Sequence, residues 1–162
     1  MSATLRFCTE LQRKDAGLPV FIRIPGAVVA PWALSEWRTV EGSLNGHDFG
    51  RRTIKDWGKN SPDWFVEFVK PYLAAAKLKP GDTVDVELRL ADMTMPAELA
   101  ERMSSDAEFA SAYAALIPNH KRNVIELYLG AKTSAGRTAK LDKIDREIKA
   151  MLAHNQRRTR PA

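Results

Sequence analysis

Residues 129–136 read Leu-Gly-Ala-Lys-Thr-Ser-Ala-Gly and carry the residue types of a phosphate-cradling loop. Such a loop needs G-x-x-x-x-G-K-[ST] between a buried strand and a helix, so that successive backbone N–H groups encircle the phosphate. Here Ala131 separates Gly130 from Lys132, no glycine stands at the first motif position, and the preceding Val-Ile-Glu-Leu-Tyr-Leu has helical periodicity. The stretch reads instead as a joint between two helices, with Thr133 or Ser134 capping the second.

Other residues of chemical interest fall into three groups. Trp57 and Trp64 flank a Gly58–Pro62 loop and, with His47 and Arg38, are candidates to line a ligand mouth at a barrel end. The plainer reading makes these tryptophans core or core edge. His47 and Asp48 are adjacent on a strand, so their side chains take opposite faces and do not pair. A basic set, Lys121, Arg122, Lys132, Arg137, Lys140 and Lys143, is a candidate nucleic-acid or partner surface, continued by Arg146, Lys149, Arg157, Arg158 and Arg160. Its plainer reading is a solvated helix face, with Asp142–Arg146 and Asp145–Lys149 as surface ion pairs one helical turn apart. Tyr128 is the one aromatic interleaved with these cations, so base stacking by this segment is not supported.

No H-E-x-x-H, G-x-S-x-G or glycine-rich dinucleotide fingerprint occurs. Cys8 is the single cysteine, which excludes an internal disulfide and a CxxC zinc pair; it is expected to be a small buried hydrophobe. No metal or cofactor is implied, and the sequence leans away from an enzyme.

These residues must be positioned by two textures of sequence. Over 1–92 the pattern is β. Leu5, Phe7 and Thr9 alternate with Arg6, Cys8 and Glu10; Val20–Ile24 stops at Pro25-Gly26; Val84, Val86, Leu88 and Leu90 alternate with Asp85, Glu87 and Arg89. Asn45-Gly46 predicts a type I′ hairpin between strands that contain Gly42 and Gly50, marks of bulges or barrel corners. Residues 63–70 are a further strand candidate and 71–78 a short helix. About six strands without a βαβ rhythm predict a small antiparallel barrel.

From 93 to 154 the period is helical. Pro96 opens a first helix with Leu99 and Met103 on one face, and Ser105–Glu108 fits a capping box leading to Phe109, Ala112, Leu116 and Ile117. Pro118 restarts the pattern with Val124, Leu127, Tyr128 and Ala131, and Leu141, Ile144, Ile148 and Met151 follow. Residues 155–162 are expected to be a frayed basic terminus. The fold class is therefore α+β, a small antiparallel β-barrel followed by a C-terminal helical segment. Charge follows the same division. Residues 118–162 carry 11 Lys or Arg against 4 Asp or Glu, whereas the preceding 117 carry 14 against 16. No stretch approaches the roughly 20 apolar residues of a membrane span, and the N-terminal residues lack the pattern of a signal peptide, so a cytoplasmic location is expected.

Several segments, taken in order, carry a resemblance: IRIP (22–25), WRTVEGSLNGHDF (37–49), KPGDTVDVELRLAD (79–92), MPAEL (95–99), Phe109, IPNHKR (117–122), AK (131–132), GR (136–137) and LDKI (141–144). Together they resemble a bacterial barrel family designated domain of unknown function number 1905, followed by a helical tail of the YdeI/OmpD-associated, or bacteriocin-protection, type. In that tail Ala-Lys runs into Glu-Thr-Arg; here 133–136 intervene and Arg137 remains. The resemblance implies a small barrel with a helical tail, no established enzyme activity and no cofactor. It also implies a role in stress or bacteriocin resistance. The leading functional expectation is a non-enzymatic binding or interaction module with a protein partner or a second copy of itself. The alternatives are nucleic-acid binding through the basic helices, and a small ligand or an enzyme site at the barrel mouth.

Overall fold

The computed structural model describes residues 2–159. The chain divides into two compact units, 1–92 and 93–162. The first is a closed six-stranded barrel: β1 (Leu5–Gln12), β2 (Val20–Ile24), β3 (Arg38–Leu44), β4 (His47–Asp56), β5 (Trp64–Phe68) and β6 (Thr83–Leu90). The strand order is β1-β2-β5-β4-β3-β6, every neighbouring pair is antiparallel, and closure leaves no sheet edge. Alternation decides which side chains fill it: Leu11, Ile22, Ile24, Val40, Ile54 and Leu88 are completely buried.

Asn45 and Gly46 take φ of 48° and 78°, both positive as the two-residue hairpin requires. The bulge falls between Gly42 and Ser43. A Cβ on Gly42 would fall on the Glu87 carbonyl oxygen and lie 3.1 Å from the Phe49 ring, so only glycine lets β6 approach this closely. A short helix, α1 (Gly26–Val29), and a 3₁₀ turn at Ala30–Trp32 follow β2, and α2 (Lys70–Ala76) follows β5. Trp32 is core, its indole donating to the Ala3 carbonyl at 2.8 Å. Leu73 and Tyr72 of α2 pack on the same core, and the Tyr72 hydroxyl donates to the His47 carbonyl at 2.7 Å.

Cys8 departs from expectation. It shares the outward phase of β1 with Arg6 and Glu10, is exposed, and donates to Asp85 Oδ1 at 2.8 Å. Its hydrophobic character was outweighed by its place in the alternation.

The second unit comprises α3 (Ala97–Ser105), α4 (Ala107–Ala114), α5 (Pro118–Leu129) and α6 (Ser134–Thr159). Leu99, Phe109, Val124, Tyr128, Leu141 and Ile144 are central to its own core. The cap of α4 is Asp106, which accepts the Phe109 N–H at 2.9 Å, and not Ser105, whose hydroxyl donates back to the Arg102 carbonyl. Ile117, Leu127 and Met151 are exposed instead of buried. Ile117 caps a helix that restarts at Pro118, Ile125 is the buried neighbour on α5, and Leu152 packs where Met151 was expected. Helix α6 runs on through 155–159, which the sequence reading treats as frayed; Arg160, Pro161 and Ala162 lie outside the described residues. Among the described residues no helix is long and apolar enough to cross a membrane.

Candidate functional site

Residues 129–136 form the joint their spacing indicates. Helix α5 ends at Leu129, α6 begins at Ser134, and Thr133 Oγ1 accepts the Gly136 N–H at 3.0 Å. Gly130 has helical φ and ψ of −67° and −17°, so this backbone forms no anion-cradling concavity.

The four candidates for a barrel mouth do not converge. His47 opens β4 and Asp56 closes it, so His47 and Trp57 lie at opposite ends of that strand. Trp64 pairs with Ile24 and packs on the barrel core, and Arg38 pairs with the fully buried Ile54. Trp57 lies outside, 38% exposed. Trp57 and Trp64 therefore belong to opposite sides of the wall.

What Trp57 joins is a groove on the barrel's outer face. Val20, Ile22 and Ile24 point inward on β2, so Phe21 and Arg23 point outward; Val66 and Phe68 point inward on β5, so Phe65 and Glu67 point outward. The register sets Phe21 beside Glu67, and Phe65 between Arg23 and Lys55. Three rings result at close range: Phe21–Trp57 at 5.4 Å, Trp57–Phe65 at 5.6 Å and Phe21–Phe65 at 6.2 Å between centroids. Leu18, Pro19, Arg13 and Lys14 from the β1–β2 connection complete a groove of about 550 Å³. That volume lies within the range of small-molecule sites.

The groove's frame is electrostatically fixed. Arg23 lies over Trp57 with its guanidinium carbon 4.4 Å from the ring centroid, while its Nε donates to Asp63 at 2.7 Å. Asp63 also accepts the Gly26 N–H at 3.0 Å, and that bond, then Arg23, holds its carboxyl below the usual carboxylate range. Lys55 pairs with Glu67 at 2.6 Å and lies over the Phe65 and Trp37 rings. Phe21, Phe65, Arg13 and Lys14 are absent from the sequence-based candidates. The available signal was a phenylalanine at the polar phase of an alternating strand, occurring on both β2 and β5.

The basic residues of the second unit do not form one uniform surface. Arg122 is buried at 9% exposure, its place being taken into the helix packing instead of a solvated face. Lys121 lies 5.8 Å from the Tyr113 ring centroid, and Lys143 is 3.8 Å from Glu147. Lys132 is exposed, and Arg137 and Lys140 are half-buried. Of the two expected ion pairs, Asp145–Lys149 forms, though on a buried carboxylate, and Asp142–Arg146 does not. Asp142 pairs with Arg102 at 3.2 Å, not with Arg146. Asp145 is buried, accepting from Arg102 and from Lys149 at 2.8 Å, and Lys149 also reaches Asp106 at 2.8 Å. This is an internal network joining α3, α4 and α6. Among the described residues no group of three or more His, Cys, Asp or Glu could hold a metal ion.

Residues 92–153 match the model of the family described as Bacteriocin-protection, YdeI or OmpD-Associated. The match covers the helical unit. No curated protein matches the chain.

Proposed function

We propose that this chain is a non-enzymatic binding module of the bacterial cytoplasm, that the outer groove of its barrel is the ligand-contact surface, and that it serves protection against bacteriocins. The observation that carries the reading is the trio Phe21, Trp57 and Phe65. Three rings gather on the outer face of a small barrel, Phe21 and Phe65 half-buried and Trp57 38% exposed, and charged side chains rim them. The family match over the helical unit supports the protective role. Cys8 is the chain's single cysteine and is exposed, a use of cysteine that suits a reducing compartment. The closed six-stranded topology and the hairpin motif support assigning the barrel to the domain-of-unknown-function family 1905.

The test uses bacteriocin-sensitive cells expressing either the wild-type chain or the double variant Trp57→Ala/Phe65→Ala. Protection by the wild type that is lost in the variant, at equal soluble levels of both proteins, is the expected result. Protection undiminished by the variant would remove the groove from the function.

A further inference from the structure

We infer that the groove takes a planar heterocyclic ring carrying a phosphate, the chemistry shared by a free mononucleotide and by an exposed nucleotide of a single strand; this rests on the groove being the binding surface proposed above. The floor supplies the ring site. Phe21 and Phe65 meet at 77° and Trp57 and Phe65 at 89°. In an edge-to-face pair one ring covers a face of its neighbour while its own faces stay clear of that neighbour. Arg23 occupies one face of Trp57, and the indole, 38% exposed, still leaves aromatic surface open at the groove. Rings on adjacent strands of an outward-facing sheet are the platform on which proteins stack bases.

The rim supplies the anion site. Arg23 and Lys55 are committed to Asp63 and Glu67, and serve to hold Trp57 and Phe65 in place. Glu67 lines the groove, but its charge is answered by Lys55. Arg13 and Lys14 line it too, are exposed, and have no ion-pair partner among the described residues. Among the residues that line the groove the unpaired charge is positive, and a guanidinium beside an ammonium is suited to a phosphate. The size of the site points the same way. A stable protein interface needs about 800 Å² per partner, whereas these three rings are hemmed by the Arg23–Asp63 and Lys55–Glu67 pairs. A groove of about 550 Å³ accepts a ligand of nucleotide size.

Titration calorimetry on the full chain with adenosine 5′-monophosphate, adenosine and a single-stranded oligodeoxyadenylate separates the components. The monophosphate is expected to bind, with adenosine at least about tenfold weaker for loss of the charge-assisted contacts. Trp57→Ala should weaken binding about five- to a hundredfold, the value of one stacked base. Arg13→Ala/Lys14→Ala should erase the advantage of the monophosphate over adenosine. Both variants alter exposed side chains, and thermal melts matching the wild type establish that they fold. An oligonucleotide that binds more tightly than the monophosphate identifies a strand as the source; the reverse identifies the free nucleotide. Equal affinity for adenosine and its monophosphate, or binding indifferent to both variants, overturns the inference. So does silence from all three probes. If neutral aromatic compounds then bind in a Trp57-dependent manner, the nucleotide assignment falls while the groove remains the binding surface.

Discussion

The guanidinium of Arg23 stacks on the Trp57 ring while its Nε is held by the Asp63 carboxylate. One residue of β2 thus fixes an aromatic side chain that follows β4 through a carboxylate that precedes β5. Asp63 sits below its ordinary value of 3.8, through the Gly26 N–H first and Arg23 second. A depressed carboxyl contributes stability that is fully present above the unfolded value and lost as acid titrates the folded one. The fluorescence difference between wild type and Trp57→Phe should therefore be flat from about pH 5 to 8 and collapse only below about pH 4. Asp63→Asn should remove that acid transition. A transition near pH 6 would assign control of Trp57 to another group.

Closure of the barrel depends on Gly42. In Gly42→Ala the new methyl meets the Glu87 carbonyl and the Phe49 ring, both backed by packed strand. Overpacking of this kind costs about 1–3 kcal/mol, because backbone has to shift. Urea denaturation should register that loss, while Gly17→Ala, whose Cβ would meet nothing within 4 Å, should change stability little. Equal stability of the two variants would mean that β3 and β6 have room to separate.

The helical unit carries its own acid sensitivity. Lys149, then the Phe109 N–H, holds Asp106 below its ordinary 3.8, and Asp106 and Asp145 together push the Lys149 ammonium up. Asp106 therefore contributes above the unfolded carboxyl range and is lost as pH falls through its folded value. Lys149 contributes below the unfolded lysine range and is lost only at high alkaline pH. Circular dichroism at 222 nm should show helix loss below about pH 4 and none between pH 5 and 9. Asp145→Ala leaves Arg102 and Lys149 without their buried partner and should cost about 1.5–3 kcal/mol. A neutral outcome would mean that both cations find solvent at no cost.

Cys8 is exposed yet should be a slow thiol. Its bond to the Asp85 carboxylate, and that carboxylate's charge, push its pKa above the ordinary 9.0. The thiolate is the nucleophile, so alkylation at pH 8 should run several-fold slower than for a free cysteine. Asp85→Asn should accelerate it. A rate equal to that of free thiol would show that Asp85 does not restrain the sulfur.

Much of the fold was legible because alternation and periodicity report directly on burial. Val84–Leu90 and the Asn45-Gly46 turn placed β6 and the β3–β4 hairpin without help from distant residues. The errors arose where a residue's type competed with its phase. Cys8 was assigned by its hydrophobicity, but its position in β1 put it outside. Ser105 looked like the cap, but the chain turns one residue later at Asp106. The site was far less legible. Phe21, Trp57 and Phe65 come together only because β2 and β5 are neighbours in the closed order, which no local pattern encodes. Trp57 and Trp64, seven positions apart, looked like partners, yet the strand pleat sends Trp64 into the core. Arg122 looked like one of a row of surface cations until the packing of α5 buried it.

The central claim is that the barrel's outer face between β2 and β5 is where a ligand sits. Amide chemical-shift mapping of the ¹⁵N-labelled full chain, titrated with adenosine 5′-monophosphate and with a panel of neutral aromatic compounds, tests it most directly. The account predicts perturbations concentrated at Arg13, Lys14, Phe21, Trp57 and Phe65, with the Trp57 indole N–H shifting most among the four tryptophans. Shifts confined to α5 and α6, or a ligand that moves Trp64 and leaves Trp57 unmoved, would contradict it.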